Sequence, residues 1–282
     1  MKSYKTKGGG DVQLHVVETG NPLGPPILFI HGFSQSWLAW SRQMDSSLAA
    51  HCRLVAMDMR GHGLSDKPRD SYGDSRLWAD DVNAVIQSLS LDHPVLCGWS
   101  YGPLVILDYI RHYGEDRLGG LHFVGGITKL GTSEAMSVIS PEFLDLTPGF
   151  FSTQVEDFVR TLESFLRLCY GPGLSAEDLY MMLGYNASVP PHVRQALFSR
   201  SFDNDDLLPK IHKPVLITHA ADDAIVKPSV VDQVKAGLAH AEIHMISTAV
   251  HACFWSDAAE FNLRLRTFAE RCRASTPLSI SR

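Results

Sequence analysis

A serine lies between two glycines in the segment Gly98-Trp99-Ser100-Tyr101-Gly102. An apolar strand-like run, residues 94–97, precedes this segment, and a helix-like pattern over residues 104–109 follows it. Glycine at both flanking positions permits a turn that is too tight for larger side chains, so the serine hydroxyl would project from the strand end. The helix that starts directly afterwards would aim backbone N–H groups at developing negative charge. This pattern predicts a serine nucleophile that forms a covalent acyl-enzyme.

A serine hydroxyl is a poor nucleophile at neutral pH and needs a base, most often an imidazole oriented by a carboxylate. Among the thirteen histidines, His251 is the best candidate, because it lies on a short loop after the last apolar run, residues 242–246. His219 ends an earlier run and is expected to be a packed polar residue. His31 follows the run 27–30, and we expect its ring to bond to loop backbone.

The acid that would orient His251 is expected on another loop at a strand end. Two adjacent aspartates, Asp222 and Asp223, follow the run 215–219. We predict that Asp223 faces the histidine, since small and apolar residues follow it and Val226 would bring the loop back into the core. Asp222 would then be a solvated neighbour.

A tetrahedral intermediate needs hydrogen-bond donors for its charged oxygen, and each donor lowers the barrier by roughly 3 kcal/mol. The backbone N–H of Tyr101, directly after the serine, is one candidate. The second is the N–H of Phe33 in the segment His31-Gly32-Phe33-Ser34, where Gly32 would let the chain reverse sharply. The predicted oxyanion hole therefore consists of the Phe33 and Tyr101 amides.

Aromatic residues are concentrated around these segments, which predicts an apolar pocket for an uncharged acyl chain or an aromatic ring. The predicted substrate-binding residues are Phe33, Tyr101, Phe143, Tyr185 and Trp255. In contrast, Trp40 and Trp99 are expected to pack between the sheet and its helices.

The elements that would position these residues alternate between short apolar strands and amphipathic helices. The predicted strands cover residues 12–18, 27–30, 53–58, 94–97, 121–124, 215–218 and 242–246. Helical patterns, such as residues 78–89 and 104–113, lie between several of these strands. Strands that alternate with helices of this length predict an α/β fold with a mostly parallel central sheet flanked by helices.

Residues 128–206 interrupt this alternation, because they contain no apolar strand-like run. The helices predicted in this region cover residues 142–146, 154–170, 176–185 and 192–202. A helical insertion between two parallel strands is best interpreted as a lid over the carboxyl edge of the sheet, where ligands bind. The alternative is that these helices only extend the outer layer. The predicted hydrolase-type core comprises residues 1–127 and 207–282.

Composition excludes several functional classes. A formal net charge of −6 without a long Lys or Arg run argues against nucleic acid as the main partner. The five cysteines are scattered and form no Cys-x-x-Cys pair, which is typical of free thiols in a reducing compartment. The sequence predicts no membrane span, and no apolar stretch follows the basic N-terminal residues. We therefore expect a cytoplasmic protein that needs no metal or organic cofactor, since no cluster with metal-ligand spacing is visible.

The order Ser100, Asp223, His251, with His31-Gly32 ahead of the serine, resembles the α/β-hydrolase fold family. The segment Asp58-Met59-Arg60-Gly61-His62-Gly63 is similar to the loop that follows the next strand in that family. The nearest resemblance is to small capped members: non-haem haloperoxidase-like esterases, acyl-homoserine lactonases and epoxide hydrolases. Epoxide hydrolases use an aspartate as nucleophile. Because Ser100 occupies that position here, the resemblance favours attack on a carbonyl carbon.

These observations together predict a hydrolase of carboxylic esters, with lactones as further candidate substrates. Two alternatives stay open. The same three residues could use hydrogen peroxide in place of water and form a peracid that oxidises halide. A ligand receptor with slow turnover on the same scaffold is the alternative from a different class.

Overall fold

The computed structural model of the chain describes residues 1–275, so the end of the predicted core, residues 276–282, lies outside the described part. Within that part the strands are β1 (Lys2–Lys7), β2 (Gln13–Gly20), β3 (Pro26–Ile30), β4 (Arg53–Met57), β5 (Val95–Trp99), β6 (Gly120–Val124), β7 (Val215–Ala220) and β8 (Glu242–Ile246). They form one sheet in the order β1-β2-β4-β3-β5-β6-β7-β8. β2 pairs antiparallel with β1 and β4, and the other neighbours are parallel. The predicted mostly parallel sheet is confirmed.

The central strands are mainly apolar because helices cover both faces of the sheet. Every residue of β5, β6 and β7 is buried. The edge strand β1 differs, since most of its side chains are exposed and three of its six residues are lysines. Charged side chains on an edge strand are a common protection against pairing with other chains. Because β1 contains no apolar run, the sequence pattern does not predict this strand.

The helices of the described chain are α1 (Ser41–Met44), α2 (Ser75–Ser88), α3 (Gly102–Tyr113), α4 (Ser133–Val138), α5 (Pro141–Asp145), α6 (Val155–Tyr170), α7 (Ala176–Ala187), α8 (Pro191–Ser199), α9 (Val230–Gly237), α10 (Cys253–Ser256) and α11 (Ala258–Ala274). Short 3₁₀ helices cover Gly9–Asp11, Trp37–Trp40, Ser47–Ala50, Thr147–Phe151 and Leu208–Lys210. Helices α4 to α8 all fall within residues 128–206, which we call the helical insertion. None of the helices described for residues 1–275 combines the length and the apolar composition needed to cross a membrane.

The prediction of a helix over residues 192–202 is wrong at its C-terminal end. Helix α8 stops at Ser199, because Arg200 takes an extended conformation and Phe202 pairs with Leu130 in an isolated bridge. This bridge joins the two chain segments that enter and leave the helical insertion. Tertiary pairing therefore overrides the helical pattern of the sequence at this point.

Two other helices also depart from the prediction. The short helix α4 is polar except for a few residues, and the apolar pattern does not predict it. The apolar segment 252–255 predicts that the final helix begins at Ala252, but the structure starts α10 at Cys253 and Asp257 separates it from α11. This break lets Cys253, Phe254 and Trp255 pack inward directly after His251.

The backbone is closely packed in the turn between β5 and α3. Ser100 has a φ of +58°, in the left-handed region that the backbone of residues other than glycine rarely adopts. A Cβ atom on Gly98 would lie 2.7 Å from the carbonyl carbon of Gly102, and one on Gly102 would lie 2.6 Å from the carbonyl oxygen of Ile30. Both positions are therefore restricted to glycine, for the reason that the sequence pattern suggests.

Replacing Gly98 with alanine should destabilise the protein by roughly 1–3 kcal/mol, because backbone atoms would have to move to accommodate the Cβ. Urea unfolding followed by circular dichroism measures the change. Gly184 in α7 provides a matched control, since a Cβ there would meet nothing within 4 Å. Gly184→Ala should stabilise the helix by roughly 0.5–1 kcal/mol. Equal effects of the two substitutions would contradict the packing described for the turn.

Candidate active site

Ser100 lies at the carboxyl end of the central strand β5, against the loop that follows β3. A Cβ atom on Gly32 of that loop would be only 3.0 Å from the Cβ of Ser100. The backbone of Ser100 is fixed on both sides, because its N–H donates to the Val124 carbonyl at 2.9 Å and its carbonyl accepts from the Ile127 N–H at 3.2 Å. Its side chain lines a cavity at this edge of the sheet.

His251 and Asp223 form a buried pair on the loops after β8 and β7. Nδ1 of His251 is 2.7 Å from Oδ2 of Asp223. The other carboxylate oxygen accepts from the N–H groups of Ile225 and Val226 at 2.9 and 2.8 Å. These bonds fix the carboxylate and leave Nε2 of His251 as the ring nitrogen that can exchange a proton. Asp222 is exposed, so the structure pairs the histidine with Asp223.

Trp99 connects the His251 loop with the strand end that carries Ser100. Its indole N–H donates to the His251 carbonyl oxygen at 3.2 Å, and the centres of the two rings are 5.4 Å apart. Within residues 1–275, the Ser100 hydroxyl forms no hydrogen bond with His251 or any other residue. Bonds of this kind often form only when substrate is bound.

Gly125 is a site residue that the sequence reasoning missed. It follows β6 with a φ of +49°, and a Cβ atom there would lie 3.3 Å from Nδ1 of His251 and 3.4 Å from Oδ2 of Asp223. The side chains of His251 and Asp223 therefore pack against the backbone of Gly125. The signal that could have found it is the pair Gly125-Gly126 directly after an apolar run.

The two other histidines near the site have the structural roles predicted for them. Nε2 of His31 accepts from the Met59 N–H at 3.1 Å, so Nδ1 carries the proton and donates to the Gly32 carbonyl at 2.8 Å. Nε2 of His219 donates to the Val226 carbonyl at 2.9 Å. Burial lowers the pKa of both rings, which keeps them neutral at pH 7 and suited to these bonds.

Phe33 and Tyr101, whose backbone N–H groups are the predicted oxyanion donors, line the same cavity as Ser100. Neither group has a hydrogen-bond partner in the described part of the chain, although both residues are buried. Buried backbone N–H groups without a partner are rare in native proteins. The two amides are therefore available to a ligand atom in that cavity.

The cavity next to Ser100 has a volume of about 280 Å³ and is lined mainly by apolar side chains. Those that contribute most clearly to its walls are Phe33, Ile127, Phe143, Phe165, Phe198 and Ile225. The rings of Phe33 and Phe198 are 4.8 Å apart, and those of Phe33 and Phe165 are 6.1 Å apart. Of the predicted substrate-binding residues, Phe33, Tyr101 and Phe143 lie at this cavity.

The prediction for Tyr185 and Trp255 needs correction, because neither is among the described residues that line the cavity. The Tyr185 hydroxyl donates to Oε1 of Gln35 at 3.0 Å, since a buried phenol needs a polar partner. The ring of Trp255 lies under the guanidinium of Arg42, 4.3 Å from its central carbon, beside a separate surface groove. Trp40 and Trp99 are buried in the core, as predicted.

A buried ion pair that the sequence reasoning missed fixes the side chain of Tyr101. Arg200 donates to the Tyr101 hydroxyl at 3.2 Å and to Oδ2 of Asp108 at 2.6 Å. Burial raises the pKa of Tyr101 to about 12, which keeps the phenol protonated. Burial also raises the pKa of Asp108 to about 6, against the opposing effect of Arg200. The spacing of these residues along the chain offers no sequence signal for this contact.

Among the residues that the structure describes, no group of three or more His, Cys, Asp or Glu side chains could hold a metal ion.

Comparisons with known proteins agree with this geometry. A family model for the alpha/beta hydrolase fold matches residues 25–258. The crystal structure of the esterase RhEst1 from Rhodococcus sp. ECU1013 is 33% identical, with a TM-score of 0.90, and the match covers 95% of this chain and 98% of that chain. Protein YisY of Bacillus subtilis, of the AB hydrolase superfamily, is 26% identical over 92% of this chain and 96% of its own. Non-heme chloroperoxidase CPO-A1 of Kitasatospora aureofaciens is 26% identical over 88% and 93%.

The fold is a mostly parallel sheet with a serine in a left-handed conformation at the end of a central strand and a histidine–aspartate pair on the loops after β7 and β8. The chain belongs to the α/β-hydrolase fold family, because the family model spans most of its length. Its similar structures include esterases.

Thiol chemistry at this site should be suppressed in the native protein. Burial raises the pKa of Cys97 and Cys253 well above the usual range, and the other three cysteines are also buried. We expect that a disulfide reagent such as dithionitrobenzoate labels less than one thiol per native chain at pH 8 and all five in urea. Rapid labelling of Cys97 or Cys253 in the native protein would show that the region around the site opens in solution.

Proposed function

We propose that the protein is a serine hydrolase that cleaves carboxylic esters through an acyl-enzyme on Ser100. The observation that carries this proposal is that Ser100 shares one apolar cavity with Phe33 and Tyr101, whose N–H groups have no hydrogen-bond partner within residues 1–275. The buried bond between His251 and Asp223, 2.7 Å long, lies at the same edge of the sheet. These are the parts that acyl transfer requires: a nucleophile, an oriented base and donors for an oxyanion.

The reaction would proceed in two half-reactions. In the first, Nε2 of His251 takes the Ser100 proton as the oxygen attacks the ester carbonyl, and the Phe33 and Tyr101 amides bind the resulting oxyanion. The imidazolium, stabilised by the Asp223 carboxylate, then protonates the leaving alcohol. In the second half-reaction, the same imidazole activates water, which releases the acid and restores the serine.

The cavity favours uncharged substrates with an apolar acyl or aryl group. Its lining, all within residues 1–275, contains no charged side chain, and its volume of about 280 Å³ is at the small end of ligand pockets. Phe143, Phe165 and Phe198 of the helical insertion form part of its wall. These contacts support the proposal that residues 128–206 are a cap over a core formed by residues 1–127 and 207–282. Met136, which lines the cavity and is 46% exposed, would lie at its mouth.

A second candidate activity uses hydrogen peroxide in the second half-reaction. The relative CPO-A1, called a non-heme chloroperoxidase, supports it. Peroxide would attack the same acyl-enzyme and release a peracid, which can oxidise halide. Acetate-dependent bromination measured beside ester hydrolysis, with the same preparation, distinguishes the two.

The experiment that tests the function compares wild type with Ser100→Ala on p-nitrophenyl esters of increasing acyl length and on a set of lactones. We expect steady turnover of uncharged esters by wild type. Ser100→Ala should lose at least about 10³-fold in kcat, because the nucleophile is gone. Unchanged hydrolysis by Ser100→Ala would remove Ser100 from the mechanism. One equivalent of product without steady turnover would favour a ligand receptor.

A matched pair of aspartate substitutions tests the proposed acid. Asp223→Asn should lower kcat by about 10⁴-fold, because an amide cannot hold the required histidine tautomer or stabilise the imidazolium. Asp222→Asn changes an exposed neighbour and should leave kcat within about twofold. The reverse order of effects, measured on the best ester substrate, would reassign the acid.

A further inference from the structure

Arg194 of helix α8 is completely buried, yet it has no carboxylate partner within residues 1–275. Its Nε donates to the Ser34 hydroxyl at 3.0 Å, and one terminal nitrogen donates to the Asn186 carbonyl. The other terminal nitrogen has no partner in the described chain. The guanidinium carbon lies 4.8 Å from the centre of the Phe158 ring. Burial lowers the pKa of Arg194 to about 10, so the group is still charged at neutral pH.

A buried cation without an anionic partner is expensive to maintain. Transfer of a charge into the protein interior is strongly unfavourable, and neutral acceptors offset this cost only in part. An apolar side chain of similar volume would be the more stable choice at such a position. The presence of an arginine at this position therefore needs another explanation, and its side-chain partner, Ser34, suggests one.

Ser34 directly follows Phe33, whose N–H we assign to the oxyanion hole. Its φ is +61°, a left-handed conformation that is rare for serine, and its side chain is fully buried. The next N–H, that of Gln35, donates to the Gly32 carbonyl at 3.3 Å and closes a tight turn around Phe33. The direction of the Phe33 N–H therefore depends on whether this turn is maintained.

The helical insertion holds all three consecutive residues of this turn. The Phe33 ring packs against Phe198 at 4.8 Å, and Ser34 accepts from Arg194. Oε1 of Gln35 accepts from the hydroxyls of Tyr170 and Tyr185 at 3.1 and 3.0 Å. Of these contacts, only the one to Ser34 comes from a charged group, and bonds from charged donors are the stronger ones.

We propose that Arg194 is a positioning residue: it holds Ser34 so that the Phe33 N–H points at the oxyanion, and it thereby couples the seating of the helical insertion to the assembly of the oxyanion hole. This inference rests on the proposed function. Arg194 is not among the described residues that line the cavity, so it acts through Ser34 and not on the substrate. Its loss should therefore reduce kcat and leave KM nearly unchanged.

Arg194→Met tests this directly, because methionine keeps an apolar side chain of similar length. Full removal of an oxyanion donor costs about 10²–10³-fold in kcat, so a misdirected donor should cost roughly 10–30-fold, with KM within twofold. The matched control is Arg160→Met on α6, whose side chain is exposed and pairs with Glu156 alone among the described residues. The control should keep wild-type kcat. Wild-type kcat in Arg194→Met, or a loss that appears only in KM, would overturn the proposal.

Two further variants separate positioning from folding. Ser34→Ala removes the acceptor and should lower kcat by a similar factor, and the double variant with Arg194→Met should lose no more than either single variant. Arg194→Lys can still donate one bond to Ser34 and should recover part of the lost kcat. Additive losses in the double variant would show that Arg194 does not act through Ser34. If Arg194→Met does not fold, Ser34→Ala and Arg194→Lys still decide the question, because wild-type kcat in Ser34→Ala would overturn the proposal.

Hydrogen exchange of residues 31–36, measured by mass spectrometry, needs no substrate. Exchange in this segment should be faster in Arg194→Met than in wild type and in Arg160→Met, because the turn is no longer held. Unchanged exchange would refute the positioning role. If wild type hydrolyses no ester, the proposed function fails, and the exchange result alone decides whether Arg194 holds this turn.

Discussion

The close approach of three backbone segments at the end of β5 is the constraint on which the rest of the site depends. Gly102 packs against the carbonyl of Ile30. Ser100, two residues before Gly102, is held in a left-handed backbone conformation. Strain of this kind costs about 1–3 kcal/mol and persists only where the surrounding structure maintains it. Here β3 and β6 maintain it, because both are bonded to β5 and both end in loops that reach the serine.

Electrostatics at this edge of the sheet follow from burial. The carboxylate of Asp223 is buried, and two backbone N–H groups together with His251 satisfy its oxygens. In an apolar surrounding such bonds are stronger than in water, and the geometry is fixed before a substrate arrives. The helical insertion supplies much of that apolar surrounding. Through Arg194 it also supplies a charged donor to the turn that carries Phe33.

The positions of Ser100, Asp223 and His251 could be predicted from the sequence, because each lies at or shortly after the end of an apolar run and parallel strands end at one edge of the sheet. Residues whose roles depend on tertiary partners could not. Tyr185 turns toward Gln35, 150 positions away, and Arg194 reaches Ser34 across 160 positions. No local pattern encodes such contacts. The edge strand β1 escaped prediction for a different reason, since its exposed lysines hide the period of the strand.

The most direct test of the account is to identify the covalent intermediate. Wild-type protein mixed rapidly with a p-nitrophenyl ester, quenched in acid and digested, should yield a peptide carrying the acyl group on Ser100, detected by mass spectrometry. Transfer of the acyl group to the serine oxygen adds the mass of the acyl group minus one hydrogen. Steady hydrolysis with the acyl group on another residue, or with no acylated peptide under any quench time, would contradict it.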